Sequence, residues 1–151
     1  MKIKYAMSDN PHAISVGATV EEAARVMTVF GVSLLPVIFE GRPVGVVSEH
    51  SLTTQVLARA RDPHRTPIRQ VMSHTPTLLN ENDDINLAIA VLEHVADHRA
   101  LVCRDDGTLS GIVSRLDLEK ATNAETNSRL PDNAARRHAS GPEDNGHAEA
   151  F

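Results

Sequence analysis

The chain repeats itself, and that limits its possible folds more than any other feature. Met7-Ser8 returns as Met72-Ser73, Pro11 as Pro76, and Val20, Ala23, Val26 and Met27 as Ile85, Ala88, Val91 and Leu92, an offset of about 65 residues. The apolar run ending at Val37 returns at Val102, Gly45-Val46-Val47-Ser48 as Gly111-Ile112-Val113-Ser114, and Leu52 as Leu118. One extra residue in the second Asp105-Asp106-Gly107 turn moves the offset to about 66. A repeat of this kind is one small unit built twice and packed on itself. Equivalent faces of the copies then form clefts, and differences between the copies indicate which cleft is used.

The first repeat is expected in residues 1–60, a linker in 61–71, the second repeat in 72–122, and a disordered polar tail in 123–151. Each repeat reads strand, helix, strand, strand, helix. Thr19 with Glu22 predicts a capping box ahead of the apolar stripe Val20, Ala23, Ala24, Met27 and Phe30, and Gly31 stops that helix. Leu34 to Phe39, the turn Glu40-Gly41-Arg42 and Pro43 to Val47 predict a hairpin, followed by a helix from Ser48 to about Arg59. In the second copy Asp83 or Asp84 caps a helix bearing Ile85, Ala88, Ile89, Leu92 and Val95. Strands follow near Ala100–Cys103 and Leu109–Val113, and a last helix starts at about Arg115. The tail is too polar to offset the entropy of ordering it.

Composition narrows the function. A net charge of -5 argues against a general nucleic-acid surface. No apolar run is long enough to span a membrane, and Met1-Lys2-Ile3-Lys4 lacks the apolar stretch of a signal peptide. The single cysteine, Cys103, forms no internal disulfide and falls on an expected core strand. A cytoplasmic protein is therefore expected. His94 and His98 are four apart, but two imidazoles do not make a metal site, and none is expected. No nucleophile and base stand in a catalytic arrangement, so no enzyme is expected.

The chemistry concentrates where the last strand hands over to a helix, at Gly111-Ile112-Val113-Ser114-Arg115-Leu116-Asp117. The first N–H groups of a helix have no intrahelical partner and, with its dipole, favour an anion such as phosphate. Ser114 adds a hydroxyl there, and Asp117, three residues on, can accept from paired sugar hydroxyls. The same two residues also make an ordinary helix cap.

The ordered set of Met-Ser openings, Leu35-Pro36-Val37 before an acidic-Gly turn, and the runs GVVSEHS and GIVSRLD resembles the CBS-domain family. In that family two tandem copies form one Bateman module. The resemblance covers about residues 7–122. It implies an α+β fold, two small sheets about a pseudo-twofold axis with helices outside. It also implies regulatory binding of an adenine nucleotide, AMP favoured and ADP or ATP possible, with S-adenosylmethionine or NAD less so, as ligand and not as catalytic cofactor. Carried over, Ser114 contacts phosphate, Asp117 contacts ribose and Ile112 lies along the adenine. His12, Ala13, Ile14, Val32 and Ser33 line base and sugar from the other copy. Asp97-His98-Arg99 resembles a segment of the nucleotide-sensing gamma subunit of AMP-activated protein kinase, which puts His98 and Arg99 on phosphate. The first copy has Ser51 in place of the aspartate and Ser33-Leu34 in place of His98-Arg99. A weaker second site is therefore expected from Val46, Ser48, Ser51, Thr77 and Leu79. The resemblance further implies a homodimer signalling to an effector protein. The alternative is a dimerisation or protein-interaction module that needs no ligand.

Overall fold

The computed structural model describes residues 1–128. The repeats occupy the unit Met1–Leu118; from Glu119 the chain belongs to a second unit. Among the described residues seven short strands form two sheets: β1 (Ser8–Asp9), β2 (Ile14–Ser15), β3 (Leu34–Phe39), β4 (Arg42–Ser48), β5 (Leu78–Asn80), β6 (Arg99–Cys103) and β7 (Leu109–Ser114). One sheet has the order β2-β3-β4 and the other β1-β7-β6-β5. The helices are α1 (Val20–Phe30), α2 (Glu49–Leu52), α3 (Ile85–Leu92) and α4 (Arg115–Ser128).

Local chemistry sets most boundaries. Thr19 Oγ1 accepts from Glu22 N at 3.3 Å, and Glu22 Oε2 accepts from Thr19 N at 3.2 Å, which completes the expected box. Gly31 ends α1 at φ 65°, a left-handed position that glycine occupies without steric cost. Glu40 and Gly41 both have positive φ, 53° and 78°, as a tight hairpin turn requires. Asp84, not Asp83, caps α3, accepting from Asn86 N at 2.9 Å.

Three expectations shift. The helix after Ser48 is α-helical only to Leu52 and continues as a wider π-helical turn through Thr53–Leu57. Helix α3 ends at Leu92, so Val95, expected on its face, lies in the following turn with His94 and His98. Helix α4 continues to Ser128, past the expected repeat end at 122, because extending a helix costs far less than nucleating one. The remainder of the expected tail lies outside the described residues.

The two repeats exchange their leading arms. Strand β1 pairs antiparallel with β7 of the other repeat, Ser8 opposite Ile112 and Asp9 opposite Gly111. The equivalent Ser73 bridges to Val46. Lys2 bridges to Asp84 just as Pro67 bridges to Thr19, a pair related by the repeat offset. Residues 1–9 thus complete the second repeat's sheet. Ile68, Val71 and Met72, expected at the end of the linker and the start of the second repeat, join the first repeat's core beside Ile14, Val20, Leu35, Val37 and Val47. Burying a side chain as completely as Ile68 contributes roughly 1.5–3 kcal/mol. The exchange demands glycine at two matching positions. A Cβ on Gly111 would lie 2.6 Å from Met7 Sδ and 2.7 Å from Ser8 O; on Gly45 it would lie 2.5 Å from Ser73 O and 2.8 Å from Met72 Sδ.

Candidate functional site

The arm exchange opens a cleft of about 580 Å³ between elements of both repeats. Its walls carry Ser8 and Asp9 of β1, His12 on the run into β2, Val32 and Ser33 between α1 and β3, Arg99 at the start of β6, Ile112 and Ser114 of β7, and Asp117 in the first turn of α4. Seven of the sequence-predicted residues meet here: His12, Val32, Ser33, Arg99, Ile112, Ser114 and Asp117.

Strand alternation places Ile112 and Ser114 on the cleft side, while Val113 between them is buried in the core. Ser114 Oγ accepts from the Asp117 backbone N–H at 3.2 Å. That bond uses one lone pair of Ser114 and leaves its O–H as a donor, so capping and ligand contact are compatible. The Asp117 side chain is exposed and stands at the positive end of a helix of 14 residues. The His12 ring stacks on Phe30 with centroids 3.7 Å apart and planes 14° off parallel, which fixes one wall of the cleft.

Three predicted residues do not line this cleft. His98 has φ 51°, and its Nδ1 lies 2.8 Å from Leu92 O, so the ring is held by the end of α3. His98 O in turn accepts from Arg115 N at 2.8 Å, joining that turn to α4. Ile14 is buried in the first repeat's core, and Ala13 beside it is half-buried away from the opening. Sequence reasoning missed Ser8, Asp9, Asn10, Pro11, Gly31 and Leu34. The repeated Met-Ser opening was the available signal for the first of these, but its partner strand is set by the arm exchange.

The pseudo-symmetric place holds two adjoining hollows of about 350 and 200 Å³. Ser48 lines the first, and Val46 and Thr77 line the second. Ser51 lines neither: its hydroxyl lies 2.9 Å from Ser48 Oγ and 3.3 Å from Ser48 N, which makes it a capping residue. Leu79 lines neither hollow, and it pairs in β5 opposite Val102.

Among the described residues no group of three or more His, Cys, Asp or Glu gathers as a metal site, and no helix is long and apolar enough to cross a membrane. Burial pushes the Cys103 thiol above its ordinary range, opposed by the Arg42 charge and reinforced by Asp106. Hydrogen bonds from Thr108 hold the exposed Asp106 carboxyl below its own.

Two structurally equivalent repeats facing each other across paired clefts make one tandem module. The CBS domain model matches this chain twice, at residues 3–58 and 68–123, and the chain belongs to the CBS-domain family. The CBS domain-containing protein YhcV of Bacillus subtilis is 31% identical over 118 residues, 77% of this chain and 81% of that protein. Protein MK0525 of Methanopyrus kandleri is 26% identical over 101 residues, 66% of this chain; the match spans only 52% of that longer relative. Among solved structures, the CBS domain protein TA0289 of Thermoplasma acidophilum superposes with a TM-score of 0.69 at 28% identity, covering 80% of this chain and 68% of that one. CBSX2 in complex with AMP gives 0.69 at 21% identity, covering 83% and 98%. The CBS domain pair of MJ0100, in complex with 5-methylthioadenosine and S-adenosyl-L-methionine, gives 0.70 at 18% identity, covering 83% and 98%.

Proposed function

We propose that this CBS pair binds an adenine nucleotide, AMP in preference to ADP or ATP, in the larger cleft and passes its occupancy to a partner protein. The observation that carries the reading is the meeting of Arg99, Ser114, Asp117 and Ile112 with His12, Val32 and Ser33 around one opening. A guanidinium and a serine O–H at a helix N-terminus suit a phosphate. A carboxylate one turn on suits a ribose diol, and Ile112 offers an apolar face to a base. AMP is favoured because one arginine balances one phosphate more readily than three. The AMP complex of CBSX2 supports an adenosine ligand in a fold of this kind.

Binding at a cleft built from both repeats stabilises one relative arrangement of them. It regulates a partner only where the two arrangements differ in ligand affinity. A homodimer fits the exposed apolar side chains on the helices, among them Val29, Leu87 and Leu116. Those same side chains favour the second reading, a ligand-independent interaction module.

Thermal unfolding with AMP, ADP, ATP, NAD and S-adenosylmethionine separates the two readings. A ligand at about 100 times its Kd adds roughly 2.7 kcal/mol. A rise with an adenine nucleotide that Asp117→Ala at least halves supports the sensor. No rise with any ligand leaves the interaction module.

A further inference from the structure

Arg99 lines the larger cleft and both hollows of the pseudo-symmetric one. Among the described residues it is the only lysine or arginine lining any of the three. Each side otherwise presents two carboxylates: Asp9 and Asp117 on one, Glu49 and Asp97 on the other. Each also has one histidine, His12 or His50, so neither side holds a fixed positive charge of its own. The Arg99 side chain is exposed and has no ion pair with any described residue. Nothing described therefore ties its guanidinium to one side.

The backbone register gives the reason. Arg99 stands opposite Ser114 at the start of β6, and Leu34 stands opposite Ser48 at the start of β3. The two positions are mates under the repeat, and Leu34 also lines all three spaces. Two cations facing each other there would give each cleft its own. This chain has one.

We infer that Arg99 is a single phosphate-binding residue shared by the two clefts, so that they take phosphorylated ligands one at a time. This rests on the nucleotide reading above and adds a rule for occupancy. A phosphate in one cleft draws the guanidinium to it. The other cleft then faces an anion with two carboxylates and no fixed cation. A ligand lacking phosphate, such as adenosine, makes no demand on Arg99 and escapes the competition.

The test is equilibrium titration of the full chain with AMP and, separately, adenosine at pH 8. The gap in Kd between first and second equivalents should be at least tenfold wider for AMP than for adenosine, the scale of a lost charge-assisted hydrogen bond. Arg99→Ala should weaken the first AMP equivalent at least tenfold and leave adenosine within about twofold. Leu34→Arg, which supplies the missing cation, should bring the second AMP equivalent to within about threefold of the first. Equal gaps for AMP and adenosine in the unaltered protein overturn the sharing, and so does a folded Leu34→Arg protein whose second AMP equivalent is unimproved. Failure of both AMP and adenosine to bind overturns the nucleotide reading and this rule together.

Discussion

Replacing Gly111 by alanine tests the exchanged arm directly. Gly111 has no positive φ, so alanine fits its backbone and only space is at issue. The new Cβ would sit 2.6 Å from Met7 Sδ, 3.1 Å from Met7 Cγ and 2.7 Å from Ser8 O. The thioether can swing aside, but Ser8 O belongs to the strand paired with β7. Relief requires β1 to move outward by several tenths of an ångström, which weakens the pairing at Ser8–Ile112 and Asp9–Gly111. Overpacking of this kind costs about 1–3 kcal/mol. Losing a strand hydrogen bond adds about 1 kcal/mol, and the lower chain entropy of alanine over glycine returns about 0.5. The balance is a loss of about 1.5–3.5 kcal/mol, or roughly 3–14 °C in Tm for a chain of this size. Thermal unfolding by circular dichroism reads it, and Gly45→Ala should behave alike against Ser73 O and Met72 Sδ. Met7→Ala in the Gly111→Ala background should restore only part of the loss, because the carbonyl contact remains. A Gly111→Ala protein melting within about 1 °C of the original would refute the close approach.

Asp117→Ala keeps the backbone N–H that Ser114 Oγ accepts from, so the ligand-free Tm should fall only by the lost helix-dipole interaction, about 0.3–1 kcal/mol, while AMP affinity drops about tenfold or more in calorimetry. Thr19→Ala removes the acceptor for Glu22 N and should cost about 1 kcal/mol in urea unfolding, with Thr19→Ser recovering most of it. The Cys103 pKa is raised on folding, so that contribution is present below about pH 9.0 and is lost as pH rises toward the folded value. Urea midpoints measured from pH 8 to 10 should therefore fall less in Cys103→Ala than in the parent chain. The Asp106 shift has the opposite sign: its contribution is present above the ordinary carboxyl range and lost as pH falls through it, and Asp106→Asn should flatten the acid limb slightly.

Local order was legible in the chain. The Thr19–Glu22 box, the Gly31 stop and the Leu34–Phe39 strand depend on neighbours a few residues away, and the structure has all three. The repeat gave the family, and with it Ser114, Asp117 and Arg99 on one cleft, because equivalent segments of one fold occupy equivalent places. Spacing alone could not report that His98 stands off the cleft. A single left-handed residue after α3 turns its ring to Leu92 O and leaves Arg99, its neighbour, facing the clefts. Only tertiary packing decided that residues 1–9 complete the sheet of the second repeat and Ile68–Met72 the core of the first. Nothing local selects between a strand's own repeat and its twin, since both offer the same edge. The long-range pairing makes the choice, the space above Gly45 and Gly111 admits it, and it brings Ser8 and Asp9 to the cleft beside Ser114.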